Sequence, residues 1–140
     1  IEFNCRFGDP EVQAILPRLE TKLLPLMESC INGTLDGVEL RWKPQAACTV
    51  VLASDGYPGS YVKGIPISGI AEAEREGAIV FHAGTMLKEN DLVTSGGRVM
   101  AVTSFGDTVE AASEKAYRAA AKVCFDGMYM RTDIGRNPPR

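Results

Sequence analysis

Hydrophobic periodicity changes near Gly37, and that single change restricts what this chain can fold into. Ahead of it the pattern is helical. Gly8 permits a sharp turn, Asp9 is placed as a helix N-cap, and Pro10 falls at the first helical position, where a missing N–H costs nothing. That short helix should reach about Leu16 and break at Pro17. A second helix is expected over 21–31, with Pro25 in its first turn and Asn32-Gly33 as a left-handed stop. Behind Gly37, strand patterning covers 38–42, 46–54, 78–82, 85–88, 92–95 and 98–105. A hairpin turn around Asn90-Asp91 joins 85–88 to 92–95. Between them, 55–69 is dense in turn residues and 71–76 fits one or two helical turns. Asp107 with Glu110 reads as a capping box, opening a helix whose apolar face is Val109, Ala112, Ala116, Ala120 and Val123. A short strand at 128–130 follows Phe125-Asp126-Gly127. Two helices, several mostly antiparallel strands and a closing helix make an α+β arrangement.

Composition closes off other classes. A chain of 140 residues, 45% hydrophobic and 24% charged, is sized for one domain, or one small domain plus a piece of another. It can form a core without disulfide staples. A net charge of -3 gives no electrostatic footprint for nucleic acid. No apolar run has the length to cross a bilayer and no basic-then-apolar leader opens the chain, so a cytoplasmic protein without a membrane partner is expected. Cys5, Cys30, Cys48 and Cys124 are scattered and His82 is the single imidazole, which disfavours a zinc site and points to free thiols. The chain opens at Ile1 inside a strand pattern, so a longer parent polypeptide is expected.

The sharpest local chemistry is Glu2-Phe3-Asn4. On a strand over 1–5, Glu2 and Asn4 share a face and offer a carboxylate and an amide oxygen. Hard cations such as Mg²⁺ take such ligands together with substrate phosphates. The same residues also suit the wet side of an ordinary half-buried strand. Arg6 suits a bidentate contact to carboxylate or phosphate, or a surface ion pair. Asp9 suits a cap, the simpler role, or an ammonium partner. Gly96-Gly97-Arg98 suits either an anion seat of backbone N–H groups beside a guanidinium or a plain turn. His82 at a strand end is simplest as a structural hydrogen-bonding residue, and Tyr57 and Tyr61 belong to a lid or to an ordered surface turn.

These residues resemble a known family. Glu2-Phe3-Asn4 followed by Arg6-Phe7-Gly8-Asp9-Pro10-Glu11 resembles the signature of the phosphoribosylamine–glycine ligases, ATP-grasp enzymes of purine biosynthesis also called glycinamide ribonucleotide synthetases. Gly56-Tyr57-Pro58-Gly59, Val80-Phe81-His82-Ala83-Gly84-Thr85, Gly96-Gly97-Arg98-Val99 and Phe125-Asp126-Gly127-Met128 resemble further family motifs, in the family's order. So do Arg131, Asp133, Ile134 and Gly135, which extends the likeness over nearly the whole chain.

The resemblance implies a division. Residues 1–36 would be the last strand and helices of an ATP-grasp domain, 37–135 a mostly antiparallel α+β C-terminal domain with a closing helix, and 136–140 a tail or linker. It implies ATP and Mg²⁺ (or Mn²⁺) as cofactors, with Glu2 and Asn4 as metal ligands. Arg6 would be a catalytic and substrate contact, and Asp9, Gly97 and Arg98 further substrate contacts. Glycine would be activated as glycyl phosphate and captured by the amine of phosphoribosylamine. The adenine-wrapping and phosphate-covering parts of such a site would lie upstream, so the implied partner is that upstream portion and this segment alone should be inactive. Two competing readings are a non-catalytic β-rich binding module and another ATP-grasp amide ligase. The conjunction of Glu2, Asn4 and Arg6 speaks against the first, and the resemblance of 6–11 against the second.

Overall fold

Two nine-residue strands organise the molecule: β1 (Ala46–Ser54) and β5 (Arg98–Gly106). The structure, a computed structural model, describes residues 3–136. Each strand carries two Val and one Thr, whose branched side chains fit a pleated surface. They pair antiparallel from Ala46 opposite Gly106 to Leu52 opposite Met100. β2 (Ile79–His82) adds to the far side of β5 and β6 (Met128–Tyr129) to the far side of β1, giving the order β2-β5-β1-β6 with every pairing antiparallel. β3 (Thr85–Lys88) and β4 (Asp91–Thr94) form a separate hairpin. Its tip is Glu89-Asn90, both at positive φ, one residue earlier than the turn expected around Asn90-Asp91, because Asp91 pairs with Lys88.

The core lies on one face of this sheet. Cys48, Val50 and Leu52 of β1 project to that face, with Met100 and Val102 of β5 beside them. They meet α4 (Val109–Ala120) through Ala112, Ala116, Ala119 and Ala120, and Val123 just beyond it. Alanine on the helix lets its backbone lie close to the sheet, so the larger strand side chains fill the layer. Each buried Leu, Val or Met contributes about 1.5–3 kcal/mol of transfer free energy. Val109 is exposed, so the apolar face is displaced by part of a turn from the expected one. The cap is also displaced: Thr108, in extended geometry, accepts from the Ala111 N–H at 3.2 Å. Asp107 is therefore not the cap, and Glu110 sits in the first turn without completing a box.

The earlier part of the chain carries α1 (Val12–Ile15), a 3₁₀ turn (Leu16–Arg18) around Pro17, and α2 (Leu23–Asn32), which stops at Gly33 with φ +66°. α3 (Ile70–Arg75) packs beside α4 and β2. α1 lies over the sheet face opposite α4. There Thr103 Oγ1 donates to the Gln13 carbonyl at 3.1 Å and is itself 2.8 Å from Thr49 Oγ1. The expected strand over 38–42 does not form. Its backbone bonds instead to the loop after the 3₁₀ turn, with Glu20 N–H on the Arg41 carbonyl and Lys43 N–H on the Arg18 carbonyl. Residues 3–6 carry no strand either, since no other strand among the described residues lies alongside them. Ile1 and Glu2, two of the five residues of the expected strand, lie outside the described residues, as does the tail beyond Arg136. No helix among the described residues is long and apolar enough to cross a membrane.

Candidate functional site

A one-residue irregularity in the sheet builds the site. Leu52 faces Met100, but the next residue, Ala53, faces Arg98, so Val99 is unpaired in a β-bulge. Val99 and Met100 both go into the core against α4. The alternation of β5 is thereby reversed, and Arg98 emerges on the opposite face. Its Nη2 lies 2.9 Å from Asp9 Oδ2 and its Nη1 donates to the Asp9 carbonyl at 2.9 Å. This pair, 89 positions apart in sequence, ties the segment before α1 to the end of β5. Asp9 Oδ1 accepts from Gln13 Nε2 at 3.1 Å, and the residue before α1, Glu11, makes no side-chain cap. Asp9 is thus an ion-pair partner and not the cap its position suggests, and Pro10 precedes the helix.

The reversed face opens a cleft of about 290 Å³. Thr49, Val51 and Ala53 form its floor, Pro10 and Arg98 one side, and Tyr129, Arg131 and Ile134 the other, with Tyr57 also lining it. Tyr57 reaches it over Gly97: a Cβ there would fall on the Tyr57 ring. The Gly97 carbonyl accepts from Ser54 N–H at 2.8 Å, and Gly96 N–H donates to Gly84 at 3.1 Å, so both glycines serve close backbone packing.

The far wall hangs from α4. Tyr117 Oη donates to the Arg131 carbonyl at 2.7 Å and accepts from Ile134 N–H at 3.0 Å, while Ser113 Oγ donates to the Ile134 carbonyl at 2.7 Å. Arg131 in turn grips Asp133 with Nε at 3.0 Å and Nη2 at 2.6 Å. That fork holds the Asp133 carboxyl below the ordinary carboxylate range and raises the guanidinium further. Sequence reasoning gave neither Tyr117 nor Tyr129 a role and none to Arg131 beyond the motif. The available signal was the alternation of Tyr129 and Arg131, which share a face when the chain is extended.

The remaining candidates lie elsewhere. Asn4 and Arg6 are exposed, and Arg6 Nη1 donates to the Phe7 carbonyl at 2.8 Å. The Asn4 amide oxygen is a hard donor of the kind Mg²⁺ accepts, and its partner Glu2 is outside the described residues. Among the described residues no three His, Cys, Asp or Glu side chains are grouped to hold a metal. His82 Nδ1 is 3.1 Å from Thr85 Oγ1, a local bond at the end of β2 away from the cleft. Tyr61 lines a second hollow, with Asp55 and Asp126.

By its fold this is an α+β domain: an antiparallel sheet backed by a helix on one face, with the cleft on the other. Residues 47–137 match the family described as "Phosphoribosylglycinamide synthetase, C domain", and the chain belongs to that family. It is 53% identical over 135 residues to a phosphoribosylamine–glycine ligase of Pseudomonas aeruginosa and 50% identical over 136 residues to one of Synechocystis. Each match takes in 96% of this chain and 32% of the relative, so the chain spans about a third of their length. A crystal structure of the Thermotoga maritima phosphoribosylamine–glycine ligase is 37% identical, with a TM-score of 0.70 over 95% of this chain and 32% of that one.

Proposed function

We propose that this chain is the C-terminal portion of an ATP-dependent ligase that joins glycine to 5-phosphoribosylamine, giving glycinamide ribonucleotide, ADP and phosphate. In this reading 1–36 ends an ATP-grasp domain, 37–135 is the C-terminal domain, and 136–140 is a tail. The protein works in the cytoplasm, and its partner is the upstream portion of the same ligase. The carboxylate of glycine takes the γ-phosphoryl group, and the amine of phosphoribosylamine displaces phosphate from the resulting acyl phosphate, which drives amide formation. Glu2 and Asn4 would hold Mg²⁺, which would supply neutralising charge against the nucleotide phosphates. Arg6 contacts a substrate anion. Of the expected substrate contacts, Arg98 meets substrate at the cleft, Asp9 acts by orienting the Arg98 guanidinium, and Gly97 acts by letting the Tyr57 ring close over the backbone.

The observation that carries this reading is the Asp9–Arg98 pair, in a chain half-identical to known ligases. It joins the two stretches, 6–9 and 96–98, in which the resemblance locates substrate contacts. The test uses the full-length polypeptide in single-turnover glycine ligation across a Mg²⁺ titration. Glu2→Ala and Asn4→Ala should each shift the metal dependence to higher concentration. Unchanged metal dependence in both variants removes the ligand role. Absence of ADP formation dependent on glycine and phosphoribosylamine in the unmutated protein removes the ligase reading itself.

A further inference from the structure

The cleft has a second arginine for which that reading has no use. We propose that Arg131 recognises the phosphate monoester of the sugar substrate from the wall opposite Arg98, and that Tyr117 is its positioning residue. The proposal rests on the ligase reading for the identity of the sugar.

Ala53 sets the geometry, because it pairs with Arg98 on one side and Tyr129 on the other. Two adjacent strand spacings separate those flanking residues, about 10 Å between backbones. A pentose phosphate fits between walls so placed, above a floor of small and β-branched side chains.

Arg131 is prepared for an anion in two ways. Its Nε and Nη2 are committed to Asp133, which fixes the plane of the guanidinium and leaves the other N–H bonds to donate. Its backbone is fixed by Tyr117, whose hydroxyl bridges the Arg131 carbonyl and the Ile134 N–H. A guanidinium held in this way loses little freedom on meeting a phosphate, and the bonds it forms are charge-assisted. Tyr117 itself is on α4 and does not line the cleft, so its effect passes through the wall it holds.

The test is equilibrium binding of ribose 5-phosphate to the full-length polypeptide, with ribose and ADP as parallel probes. Arg131→Met should weaken ribose 5-phosphate about tenfold or more, as expected for loss of a charge-assisted bond. Arg131→Lys should recover part of that loss, and Tyr117→Phe should weaken the same ligand with its thermal midpoint compared in parallel. Ribose and ADP should be indifferent to Arg131. In turnover, the KM for phosphoribosylamine should rise about tenfold with kcat and the glycine KM nearly unchanged. Ribose 5-phosphate affinity unaffected by Arg131→Met overturns the proposal, as does a loss confined to ADP, which assigns the arginine to the nucleotide. A Tyr117→Phe effect on the thermal midpoint alone overturns the positioning role. Binding through Arg131 in a protein that ligates no glycine sinks the ligase reading and leaves the subsite. Ligation with a KM indifferent to Arg131 does the reverse.

Discussion

Cys48 sits under α4 at 5% exposure, while Cys5, Cys30 and Cys124 are exposed. Burial pushes the Cys48 thiol above its ordinary range, only partly offset by its hydrogen bond with Ser113. Because the thiolate is the reactive form, Cys48 should resist alkylation at mildly alkaline pH while the other three react. Mass mapping after brief iodoacetamide treatment reads this directly, and modification of Cys48 at the rate of Cys124 would contradict the packing. Asp133 supplies a test at the opposite end of the pH scale. Its folded pKa is depressed by the Arg131 fork, so the pair's stabilising effect is complete above the ordinary Asp range. That effect is lost only as pH falls through the lowered value. Carboxyl-carbon NMR should therefore give Asp133 a midpoint below about 3.9, and Arg131→Met should return it toward that figure. Both groups are fully solvent-exposed, so the effect on global stability is slight.

Among the elements, α4 shows how far local sequence reaches. Its alanine face follows from spacing alone, and Ala112, Ala116 and Ala120 are buried as the period requires. Its start does not follow, because Asp107 and Thr108 are both capable caps and only the extended geometry of Thr108 selects between them. Thr108→Ala should cost about 1 kcal/mol in urea unfolding, and Asp107→Ala less than about 0.5 kcal/mol. Equal losses would restore the capping box. The strands divide in the same way. β1 and β5 are legible as long apolar and β-branched runs, whereas 38–42 has an equal pattern and no strand, since its backbone bonds are taken by 18–21. Local alternation reports what a segment could pair with, and only the assembled chain decides whether a neighbour arrives. The bulge at Val99 is invisible for this reason: nothing in the order Arg98-Val99-Met100 announces that two consecutive apolar residues will share a face.

At the scale of the molecule, the site was half legible. Arg98 and Asp9 stand out through motif resemblance, but their union requires the bulge and the path of α1 over the open sheet face. Tyr117 and Arg131 become a unit only once α4 and the wall it holds are docked. α2 shows what the described residues leave uncovered: Leu24, Met27 and Ile31 follow helical spacing and are all exposed, Ile31 at 84%. Together with the open position of Asn4 and Arg6, this supports a chain that acts as part of something larger. Residues 1–140 purified alone should therefore show no ATP-dependent glycine ligation, measured as ADP release. Robust turnover by them would contradict this expectation.

The unpaired Val99 also governs how this strand can change over generations. Replacing it with Ile or Leu leaves the frame of β5 intact, and Arg98 still faces Asp9. Deleting it removes the bulge but leaves Arg98 opposite Ala53 on the cleft face, so the link to Asp9 survives while the layer beneath α4 loses a buried side chain. Among descendants of this domain, the bulge position should thus stay apolar for the sake of the layer it fills, whereas the face that Arg98 presents is fixed by its pairing with Ala53.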